Sequence, residues 1–179
     1  MLKIGQTAFV LVDVQGKLAK TVDNSEAFLE NLEKLVRGLQ LLEIPIIWLE
    51  QYPEGLGPTD EQISRHLTGM RPIQKMTFNA CLTPGFLQTV GETGRHQLLI
   101  AGIEAHICTY QTAMGLKEAG YEVQVVADAV SSRTRANKEI ALEKMQSKGI
   151  LLTSVEMALF ELMQVAEGEQ FKELLTVVK

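Results

Sequence analysis

The chain has 179 residues, 17 Lys and Arg against 22 Asp and Glu, a formal net charge of −5 and a hydrophobic share of 46%. That length fills one domain with a full core and hardly two. An acidic balance without a Lys/Arg cluster speaks against a nucleic-acid surface, and no apolar run approaches the ~18 residues of a membrane span.

The first residues lack the charged, apolar and small-residue regions of an export signal. The two cysteines, Cys81 and Cys108, lie far apart in sequence, so a reduced, cytoplasmic setting is the expectation. Neither C-x-x-C nor H-x-x-x-H spacing occurs, which makes a structural zinc site an unpromising reading.

Thr7–Val12 is a short continuous apolar run, the pattern of a strand buried on both faces. It ends at Asp13-Val14-Gln15-Gly16. Asn24 or Ser25 should cap a helix running to about Glu43, with Phe28, Leu32, Leu35, Leu39 and Leu42 on one stripe. Pro45–Leu49 reads as the next strand, and the turn-rich Glu50–Pro58 as a loop beyond its carboxyl end. Thr59 and Gln62 form a capping box for a short helix.

Pro72–Met76 is a brief strand candidate. Thr83 should cap a helix with Pro84 at its first position, ending near Glu92. Leu98–Ala101 reads as a buried strand, followed by the turn Gly102–Thr109 and a helix from Tyr110 to Ala119, closed by Gly120. Val123–Ala127 is a further strand. A helix from about Thr134 to Lys148, a strand Ile150–Leu152 and a capping box at Thr153–Glu156 complete the pattern.

Strands alternate with helices throughout, which predicts a parallel sheet with helices on both faces. Such sheets bind ligands beyond the carboxyl ends of their strands. Asp13, the Glu50–Pro58 loop and the Gly102–Cys108 turn fall at such ends, and Lys75 falls near one. Cys108 lies where a strand has ended and a helix begins, where unpaired N–H groups and the helix dipole ease ionisation of a thiol. With Asp13 and Lys75 it suits one task. Lys75 would hold Cys108 as thiolate, Asp13 would take the thiol proton and pass it to a leaving amine, and backbone N–H groups near the turn would hold an oxyanion.

Leu11-Val12-Asp13-Val14-Gln15, then Lys75, then Gly102-Ile103-Glu104-Ala105-His106-Ile107-Cys108 resembles the isochorismatase-like cysteine hydrolases. The stretches Glu50–Gly57 and Gly102–His106 are similar to those of the isochorismatase domain-containing proteins. The resemblance covers nearly the whole chain. It implies a three-layer α-β-α, Rossmann-like domain over residues 1–179 with a six-stranded parallel sheet, a catalytic triad of Asp13, Lys75 and Cys108, and a homodimer or higher homo-oligomer. It also implies a cis peptide at Ile103–Glu104 that aims the N–H groups of Glu104 and Cys108 at the oxyanion.

Nicotinamidases of this superfamily place an Asp-x-His pair and further His after the second strand to hold a metal. Here that place reads Glu50-Gln51-Tyr52, and His66, His96 and His106 are scattered, so no metal or other cofactor is expected. Isochorismatases proper cleave a vinyl ether without a cysteine nucleophile. Cys108 therefore tilts the reading towards a small-molecule amide, ureide or similar carbonyl–nitrogen bond, with isochorismatase-type ether hydrolysis as the alternative. Gln15, Gln51, Tyr52, Phe78 and His106 are the candidates for lining the pocket. Cys81 reads as a bystander that could pair with Cys108 only within ~7 Å between Cα atoms.

Other readings compete. A scaffold protein on the same fold would keep these residues behind a blocked pocket. A receiver domain needs more acidic residues at its strand ends. A dinucleotide-binding domain needs G-x-G-x-x-G after the first strand, where this chain has Asp13-Val14-Gln15-Gly16-Lys17-Leu18. A cysteine-dependent glyoxalase or amidotransferase would draw on His106 as base.

Overall fold

The computed structural model describes residues 1–179. Six strands form one all-parallel sheet in the order β3-β2-β1-β4-β5-β6. They are β1 (Thr7–Val12), β2 (Ile46–Gln51), β3 (Ile73–Lys75), β4 (Gln97–Ile103), β5 (Glu122–Ser131) and β6 (Leu151–Thr153). Every residue of β1 is buried, because helices cover both faces of the central strands. A single apolar cluster of 46 buried residues, from Leu2 to Leu174, fills the space between sheet and helices.

Nine helices connect or flank the strands: α1 (Gly16–Thr21), α2 (Ser25–Leu41), α3 (Pro53–Leu56), α4 (Glu61–Ser64), α5 (Phe86–Glu92), α6 (Tyr110–Glu118), α7 (Arg135–Ser147), α8 (Val155–Met163) and α9 (Gly168–Val178). None is long and apolar enough to cross a membrane. The stripe expected on α2 is buried, with Phe28, Leu32, Leu35 and Leu39 facing the core.

Capping differs from expectation where a side chain finds a longer-range partner. Thr59 does not cap α4, because its hydroxyl accepts from Trp48 Nε1 and donates to Glu50 Oε1; Asp60 caps instead by accepting from the Gln62 N–H. Thr83 turns its hydroxyl to that of Thr77 at 2.8 Å, and α5 starts later, after a left-handed Gly85. Ser154 rather than Thr153 caps α8. Asn24 stands at the head of α2 in the left-handed region, φ 50°, without a side-chain cap; Asn tolerates that conformation better than most residues.

The sheet order reverses between β1 and β4, and this switch point is where open parallel sheets present their crevice. Val12 pairs with Gly102 in the register of these two strands. A Cβ on Gly102, φ +123°, would sit 2.0 Å from the Val12 carbonyl oxygen. Only glycine lets β4 lie so close to β1 here, and the turn bearing Cys108 follows directly.

Candidate active site

Asp13 leaves β1 with φ 51°, a left-handed turn that Asp adopts more readily than most residues. It is 3% exposed, as is Lys75, which closes the edge strand β3. Lys75 Nζ donates to Asp13 Oδ2 at 2.6 Å, to Gln51 Oε1 at 2.7 Å and to the Thr77 carbonyl at 3.1 Å. An ammonium has three protons to give, and these partners take them all.

Asp13 Oδ1 has no hydrogen-bond partner, although it is buried. Burial raises the Asp13 pKa, against lowering by Lys75, and the nearby Cys108 thiol and Glu50 charge also act on it. Cys108 feels Asp13 in return, but no hydrogen bond of standard geometry joins them. Burial first, then the Asp13 charge, pushes the Cys108 thiol up to about 12, against the opposing pull of Lys75.

Cys108 sits in a π-helical turn, Ala105–Thr109, between β4 and α6. The Ile103–Glu104 peptide bond leading into it is cis. The Glu104 carbonyl accepts from the N–H groups of Ile107 and Thr109. The Glu104 carboxylate is bound by the Arg133 backbone N–H at 2.8 Å and by Arg133 Nε at 3.1 Å. A second tie joins His106 Nδ1 to Ser132 Oγ at 3.0 Å. The β5–α7 connection thus clamps the turn that bears Cys108 from one side.

A cleft of about 470 Å³ opens beside this group, lined by Tyr52, Glu54, Met76, Thr77 and Thr83 among others. It reaches Lys75, but neither Asp13 nor Cys108 is among its lining residues. Cys108 is 7% exposed.

Residues 7–157 match the isochorismatase domain family. Isochorismatase domain-containing protein 2 of Danio rerio is 35% identical over 170 residues, covering 94% of this chain and 84% of the relative. The chain belongs to the isochorismatase family. Among solved structures, a protein described as the MAR1 ribonuclease of Caenorhabditis elegans superposes with a TM-score of 0.91 at 31% identity, over 99% of this chain and 91% of that one. The YcaC product of Escherichia coli, described as an octameric hydrolase of unknown specificity, shares the fold with a TM-score of 0.92 at 24% identity, over 98% and 89% of the two chains.

Within this isochorismatase-family fold, the expected site residues part company. Asp13, Lys75 and Cys108 come together at the switch point. The support expected for a resting thiolate is weaker than the sequence suggested: Lys75 spends its protons on Asp13, Gln51 and Thr77, and burial with the Asp13 charge raises the thiol pKa. The helix-start argument also weakens, because a π-turn intervenes before α6 and pairs some of the N–H groups supposed to be open.

Gln15 does not face a pocket. It is fully buried, and its carboxamide holds the Gln51 backbone N–H and carbonyl and the Gly57 carbonyl. Gln51 faces Lys75. Tyr52 lines the cleft, 46% exposed. Phe78 is exposed rather than core-packed and is not part of the cleft lining. His106 is engaged by Ser132, and Cys81 and Cys108 are both free thiols. His66 binds Glu33, and His96 stacks loosely on Tyr121; no group of three or more His, Cys, Asp or Glu is placed to hold a metal ion.

Sequence reasoning missed Glu50, Thr77 and Arg133. Glu50 looked like a loop residue, yet β2 continues through Gln51 and buries it. Thr77 contributes only a carbonyl, which no sequence pattern marks. Arg133 is one residue among several exposed cations, and only the fold brings it to Glu104.

Proposed function

We propose that this chain is a cysteine hydrolase, a single isochorismatase-like domain that cleaves a small amide- or ureide-type C–N bond with Asp13, Lys75 and Cys108. The observation that carries this reading is the unpaired Asp13 Oδ1, buried beside the Cys108 thiol while Lys75 occupies the other carboxylate oxygen. A raised carboxylate next to a protonated thiol is arranged for proton transfer during attack rather than for a resting thiolate.

The sulfur attacks the substrate carbonyl as its proton passes to Asp13 Oδ1. The tetrahedral adduct collapses, the C–N bond breaks, and Asp13 returns the proton to the leaving nitrogen. Water then attacks the thioester, giving a proton to Asp13 as the acid departs, and Cys108 recovers its proton from Asp13. Lys75 remains protonated throughout and keeps Asp13 fixed. Backbone N–H groups of the Glu104–Cys108 turn hold the oxyanion, an arrangement worth a few kcal/mol where it has been tested.

The same chemistry needs no metal or cofactor. A homo-oligomer is part of this reading: Tyr52, Met76, Phe78 and Leu82 are exposed near the site, and a structural neighbour is described as octameric. The free thiols suit a reducing, cytoplasmic setting. The net charge of −5 supports a small molecule over RNA as substrate.

A screen over small amides, ureides, carbamates, isochorismate and a model RNA, each run against Cys108→Ala, tests the proposal. Turnover of a C–N substrate that vanishes in the variant supports it. Turnover retained by a folded Cys108→Ala, or cleavage of isochorismate or RNA alone, overturns it.

A further inference from the structure

Gln51 holds a place that no catalytic role explains. Its Oε1 accepts from Lys75 Nζ at 2.7 Å, and its Nε2 donates to the Met76 carbonyl at 3.0 Å. Turned the other way, the carboxamide would set an NH₂ against the ammonium and an oxygen against a carbonyl oxygen, so only one orientation satisfies both ends. Gln15 fixes the Gln51 backbone from below, accepting from its N–H at 2.6 Å and donating to its carbonyl at 3.0 Å. The order runs from Gln15 on the exit of β1, through Gln51 at the end of β2, to Lys75 at the end of β3, and back to Asp13.

We propose, resting on the hydrolase reading above, that Gln51 is a positioning residue that draws Lys75 to one oxygen of Asp13 and thereby holds the ammonium charge away from Asp13 Oδ1 and the Cys108 sulfur, restraining ionisation of the thiol until substrate is attacked. Without Gln51, only the longer bond to the Thr77 carbonyl would compete with Asp13 for the ammonium, which could then move onto both oxygens of Asp13. Gln51 is neutral, so it holds the ammonium without adding a charge. The charged groups around the Asp13–Cys108 pair are Lys75 from β3, Glu50 from β2, and Glu104 from the turn after β4, with Arg133 bound to Glu104. Lys75 is the only cation bonded directly to Asp13, so where its charge is directed sets how readily the thiol proton leaves.

The test is the rate of Cys108 alkylation by iodoacetamide at pH 8.5, read on the Cys108 peptide by mass spectrometry so that Cys81 is scored separately. Gln51→Met removes the acceptor at similar length. Gln51→Glu keeps the acceptor and adds a negative charge. The positioning role predicts opposite changes: Gln51→Met frees the ammonium towards Asp13 and Cys108 and speeds labelling severalfold, whereas Gln51→Glu competes for it and slows labelling about tenfold, one pH unit of thiol acidity. Thermal melting of both variants checks that they fold, and general loosening of the site would move both rates the same way. Rates that are unchanged, or that shift in one direction together, overturn the inference. Separately, if Asp13→Asn labels no differently from wild type, Asp13 does not act on this thiol and the hydrolase reading itself is at fault.

Discussion

Lys75 Nζ and Asp13 Oδ2 meet at 2.6 Å with their side chains 0% and 4% exposed, an ion pair held away from water at the switch point of the sheet. Two charges in such a place are costly to bury, and each is tolerated because the other is there.

Removing one partner should therefore hurt more than removing both. Lys75→Met leaves Asp13 buried without its cation, a loss on the order of 3–5 kcal/mol. Without Lys75, burial raises the Asp13 pKa unopposed. The loss should thus shrink as pH falls and Asp13 takes up a proton. The double variant Asp13→Asn, Lys75→Met should recover much of the stability. Urea denaturation at pH 8 and pH 5 measures all three.

The thiol gives a second dependence on pH. The folded chain holds the Cys108 proton up to about 12, against an ordinary value of 9.0. Between those values the folded state binds a proton that the unfolded chain has given up. Stability from this source is intact below pH 9.0 and falls as pH rises towards about 12. Cys108→Ala should flatten part of that alkaline decline. Cys81, raised to about 11 mainly by burial, contributes separately, so Cys81→Ala is the companion measurement.

On the acid side the sign is reversed. Burial raises Glu33, but hydrogen bonds from Arg65, His66 and Gln62 outweigh it and hold the carboxyl down at about 2, against an ordinary 4.5. Stability from Glu33 is present above pH 4.5 and lost as pH falls towards 2. Glu33→Gln should lower stability at pH 7, by an amount that solvent screening of the exposed Arg65 keeps small, and that loss should disappear as pH falls towards 2. Chemical denaturation across that range reads the difference.

Gly102 offers a backbone test. An added Cβ would meet the Val12 carbonyl oxygen at 2.0 Å, with φ +123° besides. Gly102→Ala should cost about 3 kcal/mol or more, a fall in Tm of roughly 6–12 °C for a chain of this size. The β1–β4 seam leads into the turn that bears Cys108, so reactivity of Cys108 should fall with it.

Much of this architecture was legible in the sequence because buried parallel strands leave continuous apolar runs, as Thr7–Val12 does. The convergence of Asp13, Lys75 and Cys108 followed from strand ends alone. Strand lengths were not legible: β5 runs on to Ser131 through Asp128, a charged residue that a hydrophobic pattern treats as a stop. Nor were the partners of polar side chains. Gln15 and Gln51 both looked like pocket residues, and only coordinates show one stapling backbone and the other holding Lys75. The surroundings of the thiol were not legible for a similar reason, since a helix-start argument weighs the dipole but not the burial and the neighbouring carboxylate.

The central claim is that Cys108 attacks an acyl carbon. Intact-mass measurement after mixing the protein with p-nitrophenyl acetate, followed by peptide mapping, tests it most directly. The account predicts one acetyl group, located on Cys108, absent from a folded Cys108→Ala. An acetyl group found only elsewhere, or acquired equally by Cys108→Ala, would contradict it.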